Sequence, residues 1–242
     1  MRCMKGSSRG SGRCKVIRVN GTDLPYRVVR REVKYPRLEF KTGELLAVLP
    51  KSWKDETQLL ERKLGWISRK YEEIQKALSK FRSLQDNGNG LLVFGKFYRV
   101  QENGGVKIDP DDGLIQCDLK DRWQVRRLKA ILREKLLSEI EPAAREYSRR
   151  FGVRFNRIFI RKQKTKWASC SARGNLSFNF LMVCLPRELI RYIVCHEVLH
   201  LKRKRHDGNF WEQMSREFEN YGEMEKKLFE YWFLVQKCFR LT

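Results

Sequence analysis

The segment IVCHEVLHLKRKRHDGNFW, residues 193–211, restricts the fold more than any other stretch of this chain. It contains all three histidines among the 242 residues, His196, His200 and His206. His196, Glu197 and His200 form the pattern H-E-x-x-H, and the apolar residues around them predict a buried helix. Residues four apart lie on one face of a helix, so the two imidazoles can bind one metal ion.

The third histidine is the predicted third ligand. A catalytic zinc ion usually has three protein ligands, and its fourth position is open to water. His206 follows His196 by ten residues, after the charged segment LKRKR. We expect the motif helix to end near residues 204–205 and the chain to turn at HDGN, which brings His206 back to the ion. Asn209 and Glu212 have the spacing of a helix N-cap and its returning N3 side chain, which would hold that turn.

Glu197 lies beside the two ligand positions on the predicted helix. There it can deprotonate a water beside the ion and pass the proton to a leaving amine, which is the general-base role in zinc peptidases. Cys195 is disfavoured as a fourth ligand, because one helical step of about 100° turns it away from His196. The alternative is that the histidines end a helix and bind no metal, but their offsets of zero, four and ten favour a metal site.

The offset of ten also occurs in the metzincin pattern H-E-x-x-H-x-x-G-x-x-H. In this chain Arg203 stands at the glycine position, and no methionine turn is evident. The tight turn that glycine permits is then built differently, and metzincin membership is set aside.

The net charge is the second feature that bears on function. The chain has 52 Lys and Arg against 29 Asp and Glu, a formal charge of +23, which predicts salt-dependent affinity for polyanions such as DNA or RNA. Residues 145–166 carry nine basic residues and one acid, Glu146. Four aromatic residues in this segment either form a surface for base stacking or, as we favour, fill core positions while the arginines point outward: Tyr147, Phe151, Phe155 and Phe159.

Hydrophobic patterning predicts an α+β fold with a strand-rich N-terminal part and a zincin-like C-terminal catalytic part. Strands are predicted within residues 15–50 and 91–119, and one long helix between them over residues 55–81. A second long helix is predicted over residues 120–149, in which Pro142 begins a new helix or causes a kink. The strand LSFNFLMVCLP then precedes the motif helix, which opens at Pro186, and two C-terminal helices are separated near Gly222. No internal repeat is evident.

The predicted organisation is a flexible basic arm (1–22), a strand-rich subdomain with one long helix (23–119) and a catalytic subdomain (120–242).

No apolar run approaches the roughly 20 residues that cross a bilayer, and no apolar segment follows the basic N-terminus, so we expect neither a membrane span nor a secretory signal. Seven cysteines, an odd number without a CxxC pair, favour a reduced, cytoplasmic compartment.

Several segments in order resemble the YgjP-like metallopeptidases over residues 24–239: GWISRKYEEI, LLVFGKFYRV, RKQKTKWASCSARGNLSFNF and HEVLHLKRKRHDGNFW. The motif helix of that family is similar to that of the SprT/Spartan group of DNA-associated proteases. The resemblance implies one zinc ion on His196, His200 and His206, Glu197 as the base, and a peptide or protein substrate. The family usually has Trp-Gly-Ser-Cys, whereas Ala168 replaces the glycine here.

The resemblance also implies that the strand at residues 176–182 lies beside the cleft. An extended peptide could pair with its edge, and Asn179 could contact substrate or water, although an ordinary strand residue is favoured. The leading hypothesis is a zinc-dependent peptidase that acts on proteins, including proteins near nucleic acid. The alternative is a nucleic-acid-binding protein with a structural or vestigial zinc site.

Overall fold

The computed structural model describes residues 15–41, 44–53, 55–85, 90–102 and 104–238. The fold is α+β, and the chain divides into two compact units, Met1–Lys76 and Ala77–Thr242. The subdomain boundary predicted between residues 119 and 120 lies inside the second unit. Of the predicted N-terminal arm, residues 1–14 lie outside the described residues, whereas residues 15–22 belong to the first sheet.

The first unit contains a four-stranded sheet of β1 (Lys15–Val19), β2 (Thr22–Arg31), β3 (Arg37–Lys41) and β4 (Glu44–Pro50). The order is β1-β2-β4-β3, with β2 and β4 parallel and the other pairs antiparallel. The alternating apolar residues of these strands face one cluster with two helical side chains: Val19, Leu24, Tyr26, Leu45, Leu60 and Ile67. Their burial explains the period-two pattern of this part of the sequence.

The single helix predicted over residues 55–81 is wrong, because the structure has two helices, α1 (Thr57–Arg62) and α2 (Leu64–Gln85). Lys63 separates them with φ −108° and ψ 9°. Its N–H donates to the carbonyls of both Leu59 and Leu60, which closes α1. Apolar residues continue at helical spacing across this point, so the hydrophobic pattern contains no signal for the break.

The second unit contains another four-stranded sheet, of β5 (Gly90–Val93), β6 (Lys96–Gln101), β7 (Lys107–Asp109) and β8 (Leu114–Gln116). Its order, β5-β6-β8-β7, and its strand directions are the same as those of the first sheet. The first hairpins also share a turn in which both central residues have positive φ, Asn20-Gly21 (48° and 77°) and Phe94-Gly95 (47° and 77°). The chain therefore contains a repeat of topology. The sequence did not predict it, because different apolar sequences can form the same arrangement of paired strands.

The helix α3 (Arg122–Phe151) is the longest element of the second unit. Asp121 caps its first turn by accepting from the N–H of Trp123, and Gly152 ends it at φ 65°. The helix continues through Pro142 instead of starting again there. The favoured core interpretation of the aromatic residues is confirmed for Tyr147, which is buried, and for Phe151 and Phe155, which pack against the same core.

A three-stranded sheet follows, formed by β9 (Ile158–Arg161), β10 (Ala168–Cys170) and β11 (Leu176–Asn179). β11 lies in the centre, parallel to β9 and antiparallel to β10. The long strand predicted from residue 176 is wrong beyond Asn179, where a 3-10 helix, Phe180–Cys184, begins. The Asn179 side chain causes this change by accepting from the N–H of Leu181 and capping the 3-10 helix.

Three helices complete the second unit: α4 (Arg187–Leu199), α5 (Gly208–Glu217) and α6 (Tyr221–Cys238). The β5–β6 turn contacts the 3-10 helix just before α4, since the N–H of Phe94 donates to the Val183 carbonyl at 2.7 Å. No helix within the described residues is long and apolar enough to span a lipid bilayer.

Candidate metal centre

The helix α4 carries the first two histidines and is buried along most of its length. The predicted end near residues 204–205 is wrong: α4 ends at Leu199, and His200 is its C-cap. The N–H groups of Lys202 and Arg203 both donate to the Leu199 carbonyl, at 3.0 and 2.9 Å. The chain leaves the helix directly after the second histidine, so the charged segment that follows lies in a turn with Lys202 exposed.

The turn after α4 places His206 immediately before α5. Asp207, not Asn209, is the N-cap of α5, and its carboxylate accepts from the N–H of Phe210 at 2.9 Å. Asp207 has the extended backbone that an N-cap needs, with ψ 179°, whereas Asn209 already lies within the helix. The predicted cap was two residues too late, but the predicted turn is present.

The three imidazoles converge. One ring nitrogen from each of His196, His200 and His206 lies within 4.8 Å of the others, and the Nε2 atoms of His196 and His206 are 2.9 Å apart. Nδ1 of His200 is 3.0 Å from the Arg203 carbonyl oxygen, to which it can donate, leaving Nε2 with a free lone pair. A carbonyl that receives one ring N–H in this way commonly orients a metal-binding histidine.

The protonation of these side chains fits a cation site. Burial, with the neighbouring His200 and His206, lowers the pKa of His196 to about 3. Burial also lowers the pKa of His200. Both imidazoles are therefore neutral near pH 7, which is the form that binds a metal ion. The donor set and its spacing fit one divalent ion with room for a further ligand.

Glu197 is buried next to this cluster, with 7% of its surface exposed. Burial raises the pKa of Glu197 to about 7, against the opposing effects of Lys166 and of a hydrogen bond from the Cys170 backbone. Its Oε2 atom has no hydrogen-bond partner among the described residues. An unpartnered buried carboxylate oxygen is costly for folding, and this one is available to accept a hydrogen bond from a water or ligand.

The comparisons with known proteins identify the family of this site. A model of the YgjP-like metallopeptidase domain matches residues 34–231. The chain belongs to the YgjP-like metallopeptidase family. The search of curated proteins found no match.

Two solved structures are similar to parts of this YgjP-like chain. The crystal structure of the metallopeptidase zymogen of Pyrococcus abyssi abylysin is 25% identical over 37% of this chain and 90% of its own, with a TM-score of 0.35. That of Methanocaldococcus jannaschii jannalysin is 26% identical over 37% of this chain and 87% of its own, with a TM-score of 0.33.

An aromatic residue that sequence reasoning missed supports the site of this YgjP-like protein. Phe210 is fully buried, and its ring centre lies 4.9, 5.0 and 4.8 Å from those of His196, His200 and His206. Trp211 stacks on His206 with ring centres 5.7 Å apart. The adjacent aromatic pair after the third histidine is visible in the sequence, but only the Asp207 cap determines which rings they face.

Asn179 supports a backbone segment near the site. It is fully buried, and its Nδ2 donates to the carbonyls of Gln163 and Lys166, each at 2.9 Å. Its side chain thus holds the segment that leads into β10.

The expected pairing of a peptide with the edge of β11 is wrong, because β9 and β10 occupy both sides of this strand. Ala168 lies in β10 without a positive φ, so alanine meets no backbone strain where the family has glycine.

Cys195 is not part of the histidine cluster. Its side chain is buried, and its Sγ lies 3.9 Å from the Met214 sulfur. Burial strongly raises the pKa of this thiol, which disfavours the thiolate that a metal ion binds.

Proposed function

We propose that this YgjP-like protein is a zinc-dependent peptidase with one Zn²⁺ held by His196, His200 and His206 and with Glu197 as the general base. The observation that carries the proposal is the convergence of three imidazoles, together with a buried carboxylate oxygen without a described partner on Glu197, the residue after His196 in α4. Imidazole is a common ligand of zinc, as it is of copper, iron and nickel. Three histidines leave the open position that a catalytic site requires.

The residues of the chain account for the movement of the protons. When bound, the zinc ion supplies Lewis-acid polarisation of the scissile carbonyl and lowers the pKa of water. Glu197, with a pKa of about 7, accepts a proton from the attacking water at Oε2 as the water oxygen bonds to the carbonyl carbon. The carbon–nitrogen bond then breaks, and Glu197 returns the proton to the leaving amine. Burial raises the pKa of this carboxyl, which strengthens it as a proton acceptor.

The outer edge of β10 is the proposed place for an extended peptide. No strand within the described part of the chain pairs with this edge, whereas β11 is enclosed. The Cys170 backbone at the end of β10 hydrogen-bonds to Glu197, which brings this edge beside the base. Backbone pairing with an exposed strand is a common way to bind peptides of varied sequence.

The metal content of purified variants tests the ligand set. We expect about one zinc per wild-type chain and a loss of zinc in His200→Ala, measured by elemental mass spectrometry after zinc loading and desalting. Cys195→Ala is the matched control next to His196 and keeps its zinc, since its sulfur faces Met214. Wild-type protein without zinc after loading would contradict the proposal.

Hydrolysis by Glu197→Gln tests the role of the base. This variant keeps its zinc but loses about 10²-fold to 10⁴-fold in the hydrolysis of unfolded casein, because the amide cannot accept the proton. Glu188→Gln, an exposed change in the first turn of the same helix, keeps wild-type activity. An equal rate for Glu197→Gln and wild type would remove the general-base assignment.

Nucleic-acid association is the second candidate function. The formal charge of +23 supports it, and a peptidase that acts on proteins near DNA or RNA joins both functions. The test is a salt titration of DNA binding, followed by casein cleavage with and without DNA. Absence of DNA binding at 50 mM salt would show that the positive charge lies on a solvated surface that does not bind nucleic acid.

A reducing, cytoplasmic compartment is also proposed, and the free thiols of Cys117, Cys170, Cys184 and Cys195 support it.

A further inference from the structure

A basic cavity lies where α3 ends and the chain reverses at Gly152. Its volume is about 840 Å³. The lining residues come from the last turns of α3 and from the segment that follows: Arg145, Ser148, Arg149, Gly152, Val153, Arg154, Phe155 and Asn156. This size is within the range of small-molecule sites and exceeds a single phosphate group.

Two arginines of this cavity have no carboxylate within ion-pair distance among the described residues, although one of them, Arg149, contributes to lowering the pKa of Glu146. Arg149 and Arg154 are exposed and form no ion pair among the described residues. The carboxylates near them are already neutralised, since Glu146 pairs with Arg150 and Arg191, and Arg150 also pairs with Glu217. The third arginine of the cavity pairs with a glutamate one turn earlier in α3. The uncompensated charge in the cavity is therefore positive.

Compensation of the α3 dipole does not explain both arginines. Basic residues often stabilise the last turn of a helix, where carbonyl groups are exposed. Here the Ser148 and Arg149 carbonyls already accept from the N–H groups of Val153 and Gly152, at 2.9 and 3.3 Å. The Phe151 carbonyl accepts from the Lys202 ammonium at 3.3 Å. Arg154 lies beyond the end of α3, three residues after its last residue, Phe151.

Ser148 is the second, independent observation in the cavity. The residue is 7% exposed, and its Oγ atom is buried without a hydrogen-bond partner among the described residues. A buried hydroxyl without a partner is unfavourable, and rotation of the Ser148 side chain about its Cα–Cβ bond would let its O–H donate to a ligand in the cavity.

We infer that this cavity binds a phosphate group, with the guanidinium groups of Arg149 and Arg154 and the hydroxyl of Ser148 as donors. Guanidinium groups bind phosphate oxygens through paired, charge-assisted hydrogen bonds, and a hydroxyl donates a further short hydrogen bond to a charged phosphate oxygen. The phosphate belongs either to a nucleic-acid backbone or to a small phosphate compound. The inference does not depend on the metal site or on peptidase activity.

The first test compares two double variants of the full-length protein. Arg149→Gln/Arg154→Gln removes the cavity charges, whereas Arg122→Gln/Arg126→Gln removes two exposed charges from the first turns of the same helix, roughly 35 Å away at 1.5 Å per residue. Binding of a fluorescein-labelled 20-base-pair DNA duplex is measured by anisotropy from 50 to 300 mM NaCl. The cavity variant loses at least about tenfold in affinity, and the slope of log K against log salt falls by about two, while the control changes less than about threefold.

The second arm measures inorganic phosphate binding to the same proteins by calorimetry. A loss of DNA affinity specific to the cavity variant supports a nucleic-acid backbone as the source. Phosphate binding that only the cavity variant loses, with equal DNA affinities for the two variants, supports a small phosphate compound. Equal DNA affinities together with no cavity-dependent phosphate binding would overturn the inference.

Ser148→Ala separates ligand binding from a structural role. Loss of the hydroxyl lowers the affinity for the same phosphate ligand about threefold to tenfold, and the melting temperature without ligand stays unchanged or rises, because no described partner is lost. A lower melting temperature with unchanged affinity would make the hydroxyl structural and count against the site.

Discussion

At the scale of single residues, burial shifts the pKa values of the proposed base and of the first histidine in opposite directions. The pKa of Glu197 rises from 4.5 to about 7, and that of His196 falls from 6.5 to about 3. Both side chains therefore favour their neutral forms in the folded protein. The burial of these two groups also makes the stability of the chain depend on pH.

The opposite pKa shifts of Glu197 and His196 predict how the stability of the metal-free protein, kept in excess chelator, depends on pH. Between pH 4.5 and 6.5 the unfolded His196 binds a proton that the folded one does not, so stability falls as the pH falls. Glu197 has the reverse effect, because its folded form keeps a proton that the unfolded form has released, so stability falls as the pH rises towards 7. In Glu197→Gln only the histidine effect remains, and the free energy of unfolding rises with pH more steeply, by about 1.4 kcal/mol per pH unit.

Urea denaturation at intervals from pH 5.0 to 6.5 measures this difference in slope. Glu188→Gln, on the exposed side of the same helix, follows the wild-type curve. Parallel curves for Glu197→Gln and wild type would show that the folded carboxyl does not retain the proton.

At the scale of elements, the β5–β6 hairpin turn supports the start of the motif helix. The N–H of Gly95 donates to the Cys184 carbonyl at 3.2 Å, and Arg187 of α4 lies 4.9 Å from the centre of the Phe94 ring. A Cβ atom at Gly95 would lie 2.9 Å from Cγ and 3.1 Å from Cα of Pro186. The turn thus needs glycine both for its backbone angle and for the close approach to Pro186.

We predict that Gly95→Ala destabilises the protein by about 2–4 kcal/mol, of which about 1–2 kcal/mol is the cost of positive φ. Gly21→Ala is a matched control, because Gly21 has the same φ of 77° in the equivalent turn and a Cβ atom added there would meet no atom within 4 Å. The control should lose only the backbone component. Urea denaturation of both variants measures the difference, and equal losses would contradict the role of the Pro186 contact.

At the scale of the whole molecule, the chain has two compact units with separate buried clusters. All three histidines and Glu197 belong to the second unit. A ligand stabilises only the folded structure that binds it, by about 2.7 kcal/mol when present at 100 times its dissociation constant. Zinc bound at the proposed site would therefore stabilise the second unit.

We predict that zinc loading slows amide hydrogen exchange in peptides from α4 and α5 and leaves peptides from β1 to β4 unchanged. Mass spectrometry with and without zinc measures both sets of peptides in one sample. His200→Ala is the control, in which zinc has no effect on either set. Slower exchange in β1 to β4 of the wild type would contradict a metal effect confined to the second unit.

The sequence by itself determined the donor types, their order and the apolar helix that carries them. His196 and His200 share a helix face because of local geometry, which depends on spacing alone. Burial of Tyr147 was likewise predicted from spacing. The net charge also follows from the sequence alone, because it is a sum over residues and needs no contacts.

Only the tertiary structure decided how those pieces meet. The end of α4 at Leu199, the cap at Asp207, the ring of Phe210 beneath the histidines and the enclosed position of β11 all differ from the sequence prediction or were absent from it. The enclosed position of β11 and the contacts of the Phe210 ring depend on packing between segments separated in the chain. The end of α4 and the cap at Asp207 depend on local hydrogen bonds, for which the sequence offered more than one position. The choice of Asp207 over a nearby asparagine brings His206 to the other two imidazoles, because it determines where α5 begins.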